Sequence, residues 1–228
     1  MDEQLKKSYL EYLLQFVTQN KRDRFEEIIR QRTRHITVVL EDIYQSHNAS
    51  AVLRTCDCFG IQDVHIIENK NKYTLNPDIA LGASQWLSLE KYNQQEDNTT
   101  DCLAFLKSRG YTIVATSPYK NDYILCELPL EKKTALLFGT ELRGLSQRAL
   151  EMADCSVLIP MAGFTESFNI SVSAAICLYD LTQRLRQSGV SWQLTDPEKT
   201  DILISWAENV VKHPELYEKV FMSSRKRK

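Results

Sequence analysis

Glycine is scarce in this chain of 228 residues: there are seven, and neither glycine nor proline occurs before Gly60. So long a stretch without either helix-breaking residue favours helix at the N-terminus. The Gly-x-Gly-x-x-Gly fingerprint is absent, which argues against the ordinary dinucleotide-binding turn. Glu41-Asp42-Ile43-Tyr44 stands where its first glycine would be. No run approaches the ~18 uninterrupted apolar residues of a membrane span. The opening MDEQLKKSYLEYLLQFV scatters charges where a secretory signal needs an unbroken apolar core. A cytoplasmic protein with no membrane partner is expected. Among Cys56, Cys58, Cys102, Cys126, Cys155 and Cys177 there is no Cys-x-x-Cys pair, and no histidine stands at zinc-ligand spacing. They read as free thiols, and no metal site is expected.

Charge of one sign is also lacking. The net charge of −2 excludes a protein that coats nucleic acid by bulk charge. Locally, Arg22, Arg24, Arg30, Arg32 and Arg34 cluster near the N-terminus, and the chain ends in Arg225-Lys226-Arg227-Lys228. Two such patches could hold a phosphate backbone. Taken alone, they read better as a solvated helix face and a frayed tail.

What is present is an alternation. Residues 2–32 carry apolar side chains at helical spacing, Leu5, Tyr9, Leu13 and Phe16 first, then Phe25, Ile28 and Ile29. From His35 to Leu40 the texture becomes β-branched and continuously apolar, as in a strand buried on both faces. Similar runs follow at Val64–Ile67, Tyr111–Ala115, Ala135–Phe138 and Val157–Ile159, with helical stretches at 49–59, 99–108 and 146–153 between them. A longer helix is predicted over 169–187 and a last one over 197–212. The expected fold is α/β, a parallel sheet with helices on both faces. Its parts are a helical arm at 1–34, a core at 35–188, and a C-terminal helix with a basic tail at 189–228.

Three segments carry candidate chemistry, each after a predicted strand, where open α/β sheets bind ligands. In the first, Asn48 stands at the N-cap position of a helix and Arg54 follows six residues later. An isolated pair of this kind reads as a cap and a solvent-facing arginine. The second is Phe138-Gly139-Thr140-Glu141-Leu142-Arg143-Gly144-Leu145-Ser146, with Glu141 between two glycines at a strand tip. The third runs from Ile159-Pro160 to a helix start that offers Ser167, Asn169, Ser171 and Ser173.

In this order and spacing the three segments resemble the signature motifs of the SpoU family of RNA 2′-O-ribose methyltransferases, in the SPOUT superfamily. The resemblance covers the whole predicted core. Without an added RNA-binding domain, the chain is most similar to the TrmH type. That implies S-adenosylmethionine as cofactor, transfer RNA as partner, and guanosine 18 of the D-loop as target. It also implies a homodimer and a deep C-terminal trefoil knot.

For the site, the resemblance implies catalytic roles for Arg54, Asn48, Glu141, Ser167 and Asn169. Thr116, Gly139, Gly144, Ile159 and Phe168 would line the cofactor pocket. Arg54 would act on the ribose hydroxyl and its flanking phosphate, oriented by a charged hydrogen bond that it donates to Glu141. A base role for a guanidinium is chemically demanding, because such groups titrate at about 12.5–13.8. The basic arms would clamp the RNA. Three alternatives stay open: a ribosomal RNA 2′-O-methyltransferase, a non-catalytic RNA-binding protein of the same fold, and an unrelated nucleotide-binding protein. The chain departs from the pattern at Phe168, where leucine is usual, and in the bulky Phe164-Thr165-Glu166.

Overall fold

A computed structural model describes residues 1–72, 82–119 and 122–225, so Lys226, Arg227 and Lys228 lie outside the described residues. Two compact units divide the chain: residues 1–32 with 193–228, and residues 33–192.

The larger unit is built on strands β1 (Ile36–Glu41), β2 (Asp63–Ile67), β3 (Ser88–Tyr92), β4 (Tyr111–Thr116), β5 (Tyr123–Ile124), β6 (Lys133–Phe138) and β7 (Cys155–Leu158). They form one sheet in the order β3-β2-β1-β6-β4-β7-β5, and every pairing is parallel. The continuous apolar runs become its centre: Val38, Val39, Leu40, Leu136 and Leu137 are buried. Odd and even residues of β1 feed two apolar clusters, one with Val38 and Leu40, the other with Val39. The expected cover of both faces is therefore observed. Helices α3 (Ser46–Phe59) and α6 (Ile170–Gln187) contribute to the first cluster, α4 (Asn98–Ser108) and α5 (Gln147–Met152) to the second.

The other unit holds α1 (Glu3–Leu14), α2 (Gln19–Ile29), α7 (Asp196–Val210) and α8 (Pro214–Arg225). The single helix expected over 2–32 is two. Thr18, extended at φ −63° and ψ 150°, separates them as the N-cap of α2. The predicted last helix starts as expected, with Thr195 and Glu198 forming a reciprocal capping box. Beyond the predicted last helix the chain forms a further one, α8, which reaches Arg225; the other three residues of the basic tip lie outside the described residues. Aromatic packing explains it: Phe221 is buried against Tyr9 and Tyr12, at ring-centroid distances of 5.2 and 5.4 Å.

One buried group gives the fold a pH dependence. His65 on β2 is 4% exposed, and its Nδ1 lies 3.1 Å from the Tyr92 hydroxyl on β3. Burial disfavours the charged imidazole and lowers its pKa from 6.5 to about 4. The unfolded chain takes up this proton below pH 6.5, whereas the fold refuses it until about pH 4. The stability contributed by His65 is intact above the unfolded value and is lost as the pH falls through this window. At pH 4.5 the expected loss is about 2.5 kcal/mol relative to pH 7. Urea midpoints at the two pH values would read it. His65→Phe, which cannot titrate, should flatten the difference, and an unchanged difference would exclude His65 as its source.

Candidate active site at the strand tips

Parallel strands place the carboxyl ends of β1, β4, β6 and β7 along one edge of the sheet. At the end of β6 the chain makes a tight turn. Thr140 N–H donates to the Gly144 carbonyl at 3.0 Å, and Gly144 N–H returns the bond to Thr140 at 2.8 Å. The turn needs both glycines. Gly144 sits at φ 66°, in the left-handed region. A Cβ on Gly139 would fall 2.2 Å from the Gly144 carbonyl carbon, inside van der Waals contact.

The exit of this loop is anchored by a residue that sequence reasoning passed over. Glu41, at the end of β1, is 2% exposed. It accepts hydrogen bonds from the Ser146 N–H (2.8 Å), the Ser146 hydroxyl (2.7 Å) and the Thr99 hydroxyl (2.6 Å). A carboxylate closing an otherwise apolar strand was the available signal, because a buried charge needs hydrogen-bonding partners.

The three candidate segments meet at one point. Asn48 Nδ2 donates to Glu141 Oε1 at 2.7 Å. Asn169 Nδ2 donates to the same oxygen at 2.5 Å and to Asn48 Oδ1 at 3.2 Å. Asn169 is also the N-cap of α6, its Oδ1 accepting from Ser171 N–H at 2.8 Å. The capping reading of Asn169 is therefore observed, and the same side chain also joins the cluster with its amide nitrogen. For Asn48 the capping reading is not observed: the N-cap of α3 is Gln45, and Asn48 lies buried in the first turn.

Beside this cluster is a cavity of about 250 Å³. Thr116, Gly139, Gly144, Ile159 and Phe168, the five residues expected around the cofactor, all line it, as do Glu141 and Ser167. Its floor is apolar, from Phe138, Leu145 and Val157. The Thr116 hydroxyl donates to the Leu137 carbonyl at 2.7 Å.

Arg54 stands apart. It is exposed on α3, lines neither this cavity nor its neighbour, and has no hydrogen bond or ion pair among the described residues. Helix geometry explains this: six residues rise ~9 Å and turn ~240° away from Asn48. The expected Glu141–Arg54 hydrogen bond is thus replaced within the chain by the two amides. Among the arm arginines, Arg22 donates to the Val17 carbonyl (2.7 Å), and Arg24 and Arg30 are exposed beside Glu27 and Glu26 (3.0 and 4.0 Å). Arg34 pairs with Asp63 at 3.0 Å, and Arg225 lies 5.2 Å from the Phe221 ring centroid. Arg32 is the exception: it is 1% exposed, over Trp206, and so is withdrawn from the surface set. Among the described residues no group of three or more His, Cys, Asp or Glu could hold a metal ion, and no helix is long and apolar enough to cross a membrane.

Comparisons with known proteins identify the family. Residues 35–179 match the SpoU rRNA Methylase family. A tRNA (guanosine(18)-2'-O)-methyltransferase of Borreliella burgdorferi is 46% identical over 211 residues, 92% of this chain and 95% of the relative. The crystal structure of the Aquifex aeolicus TrmH/SpoU tRNA modifying enzyme aligns with a TM-score of 0.75 and 34% identity, covering 85% of this chain and 98% of that one. The SpoU methyltransferase AviRb of Streptomyces viridochromogenes, solved with AdoMet, shares the fold at 21% identity and a TM-score of 0.60, over 71% of this chain and 65% of that one. With the family model matching its residues 35–179 and a 46% identical relative aligned over 92% of it, the chain belongs to the SpoU methylase family.

Proposed function

We propose that this protein transfers the methyl group of S-adenosylmethionine to the ribose 2′-oxygen of guanosine 18 in transfer RNA. The observation that carries the proposal is the meeting of Asn48, Glu141 and Asn169 beside a cavity lined by all five expected cofactor residues. The family's description names ribosomal RNA, but the 46% identical relative is a transfer RNA enzyme over nearly its full length, which favours transfer RNA.

The residues fit the cofactor. Gly139 and Gly144 close the tight turn that borders the cavity, and the apolar lining suits an adenine ring. When bound, the cofactor supplies an electrophilic methyl group. The chain must position the ribose oxygen in line with it and stabilise the oxygen as its proton leaves. Glu141, held by two amides, is fixed at the cavity wall for that positioning. Ser167 and Asn169 hold the facing loop.

Arg54 binds and polarises the hydroxyl and its phosphate, and its planar guanidinium suits a phosphate. Its exposure on α3, outside the cavity of its own chain, favours delivery from a second protomer. A homodimer would also cover the apolar strip of α6, where Val172 is 44% exposed and Tyr179, 60% exposed, stands beside Phe59, Pro160 and Ile176. The knot is proposed on the same footing: β6 lies between β1 and β4, and the 139–145 and 159–169 loops share one cavity.

The basic arms would clamp the RNA through Arg22, Arg24, Arg30 and Arg34, with Arg225, Lys226, Arg227 and Lys228 from the tail. Deleting those last four residues should weaken transfer RNA binding and flatten the plot of log affinity against log salt by ~0.7–0.9 per lost phosphate contact. An unchanged slope would remove the tail from the clamp. The functional reading itself is tested with labelled cofactor and unmodified transfer RNA or ribosomal RNA. Label should appear on the ribose of guanosine 18. Label on ribosomal RNA alone would reverse the substrate assignment.

A further inference from the structure

We propose that a second cavity, on the other side of the Glu141 loop, is the seat of the acceptor nucleotide. It would take one RNA nucleotide turned out of its stack, its base lying on Tyr44 and its phosphate between Lys70 and Arg143. The inference rests on the ribose-methyltransferase reading above.

The cavity measures about 500 Å³ and shares residues 140–145 with the cofactor cavity. That loop is therefore a wall with a cavity on each side, and Glu141 faces both. Asn48, absent from the first cavity, lines the second. A ribose seated here meets the Asn48–Glu141 hydrogen bond at the edge where its 2′-oxygen must reach the other chamber.

The remaining lining has the chemistry of a nucleotide. Tyr44 stands at the cavity with 77% of its surface exposed, and among the described residues it has no ring contact. Exposed aromatic faces beside cations bind splayed-out RNA bases, since every base offers a stacking surface. Lys70 and Arg143 also line the cavity, and neither is in an ion pair among the described residues. Three carboxylates also line the cavity, and each already accepts hydrogen bonds, Glu141 from Asn48 and Asn169. Glu41 is satisfied by Ser146 and Thr99, and Asp42 Oδ1 accepts the N–H groups of Asn69, Lys70 and Asn71 at 2.7, 2.7 and 3.2 Å. To do this Asp42 takes φ 54°, a strained conformation that fixes the backbone carrying Lys70.

The test compares Tyr44→Ala, Tyr44→Phe and Lys70→Ala with the parent, using unmodified transfer RNA and S-adenosylmethionine. Tyr44→Ala should raise the KM for RNA by roughly 5- to 100-fold, the range for loss of one base stack. The KM for cofactor should stay within two-fold, because Tyr44 does not line the first cavity. Tyr44→Phe should restore the parent KM. Lys70→Ala should instead reduce the salt slope of RNA binding by about one contact. A Tyr44→Ala protein equal to the parent in KM, or an equal rise in KM for the cofactor, would overturn the nucleotide site. If the parent itself transfers no methyl group, the enzymatic reading fails. RNA affinity then judges the site by itself: weaker binding by Tyr44→Ala, rescued by Tyr44→Phe, supports it, and equal binding by all three refutes it.

Discussion

Arg54→Ala is expected to lower methyl transfer to transfer RNA by roughly 10²–10⁴-fold while leaving cofactor affinity within two-fold of the parent. The two halves of this expectation have separate grounds. Arg54 is exposed and lines neither cavity, so its removal leaves the cofactor's surroundings untouched. Yet it is the member of the first motif whose charge can meet a phosphate and a nascent oxyanion. Arg54→Lys keeps the charge and loses the planar fork, so it should recover only part of the rate. If Arg54 acts across a dimer, mixing Arg54→Ala with a Glu141→Ala protein should restore activity in the mixed dimers. Full activity of the Arg54→Ala protein would remove the residue from the mechanism. Activity absent from every mixture would place Arg54 and Glu141 in one protomer's site.

Glu141→Ala should be nearly as damaging, at roughly 10²–10³-fold in kcat. Removing one preorganised group of an active site typically costs about 2.7–4 kcal/mol of barrier, and ~1.4 kcal/mol is tenfold in rate. Glu141 Oε1 accepts one hydrogen bond from Asn48 and one from Asn169, so its loss uncouples two elements far apart in sequence. The side chain is exposed, so thermal stability should change little. Glu141→Gln keeps an acceptor oxygen and loses the charge. Its kcat should fall between parent and Ala variant if geometry and charge both matter. A Glu141→Ala protein with parental kcat would leave the cluster with a structural role only.

The parts of the fold legible in the sequence were those that satisfy one strong requirement. Strands β1 and β6 are buried on both faces and so read as unbroken apolar runs. β3 escaped notice because it is an edge strand carrying Glu90 and Lys91 exposed, and β5 because two residues show no period. The break between α1 and α2 covers residues 15–18 and ends at the extended Thr18, with no glycine or proline to mark it. α8 is held by aromatic contacts made with residues some 200 positions away, which local periodicity cannot register.

The site divides the same way. Strand ends in a parallel sheet converge, so placing Asn48, Glu141 and Asn169 after strands was enough to bring them together. Which of them touch was not legible. Asn48 and Asn169 share the carboxylate expected to orient Arg54, because side-chain reach and helix phase decide that pairing. Glu41 was noted only for not being glycine, yet it holds the loop on which Glu141 rides.

The central claim is that one chamber at the strand tips binds the methyl donor against the Gly139 turn. A crystal structure of the protein with S-adenosylhomocysteine tests it most directly. The account predicts the ligand between the Gly139–Leu145 turn and the Ile159–Phe168 loop, its sulfur toward Glu141. A ligand bound elsewhere, with that chamber empty, would contradict it.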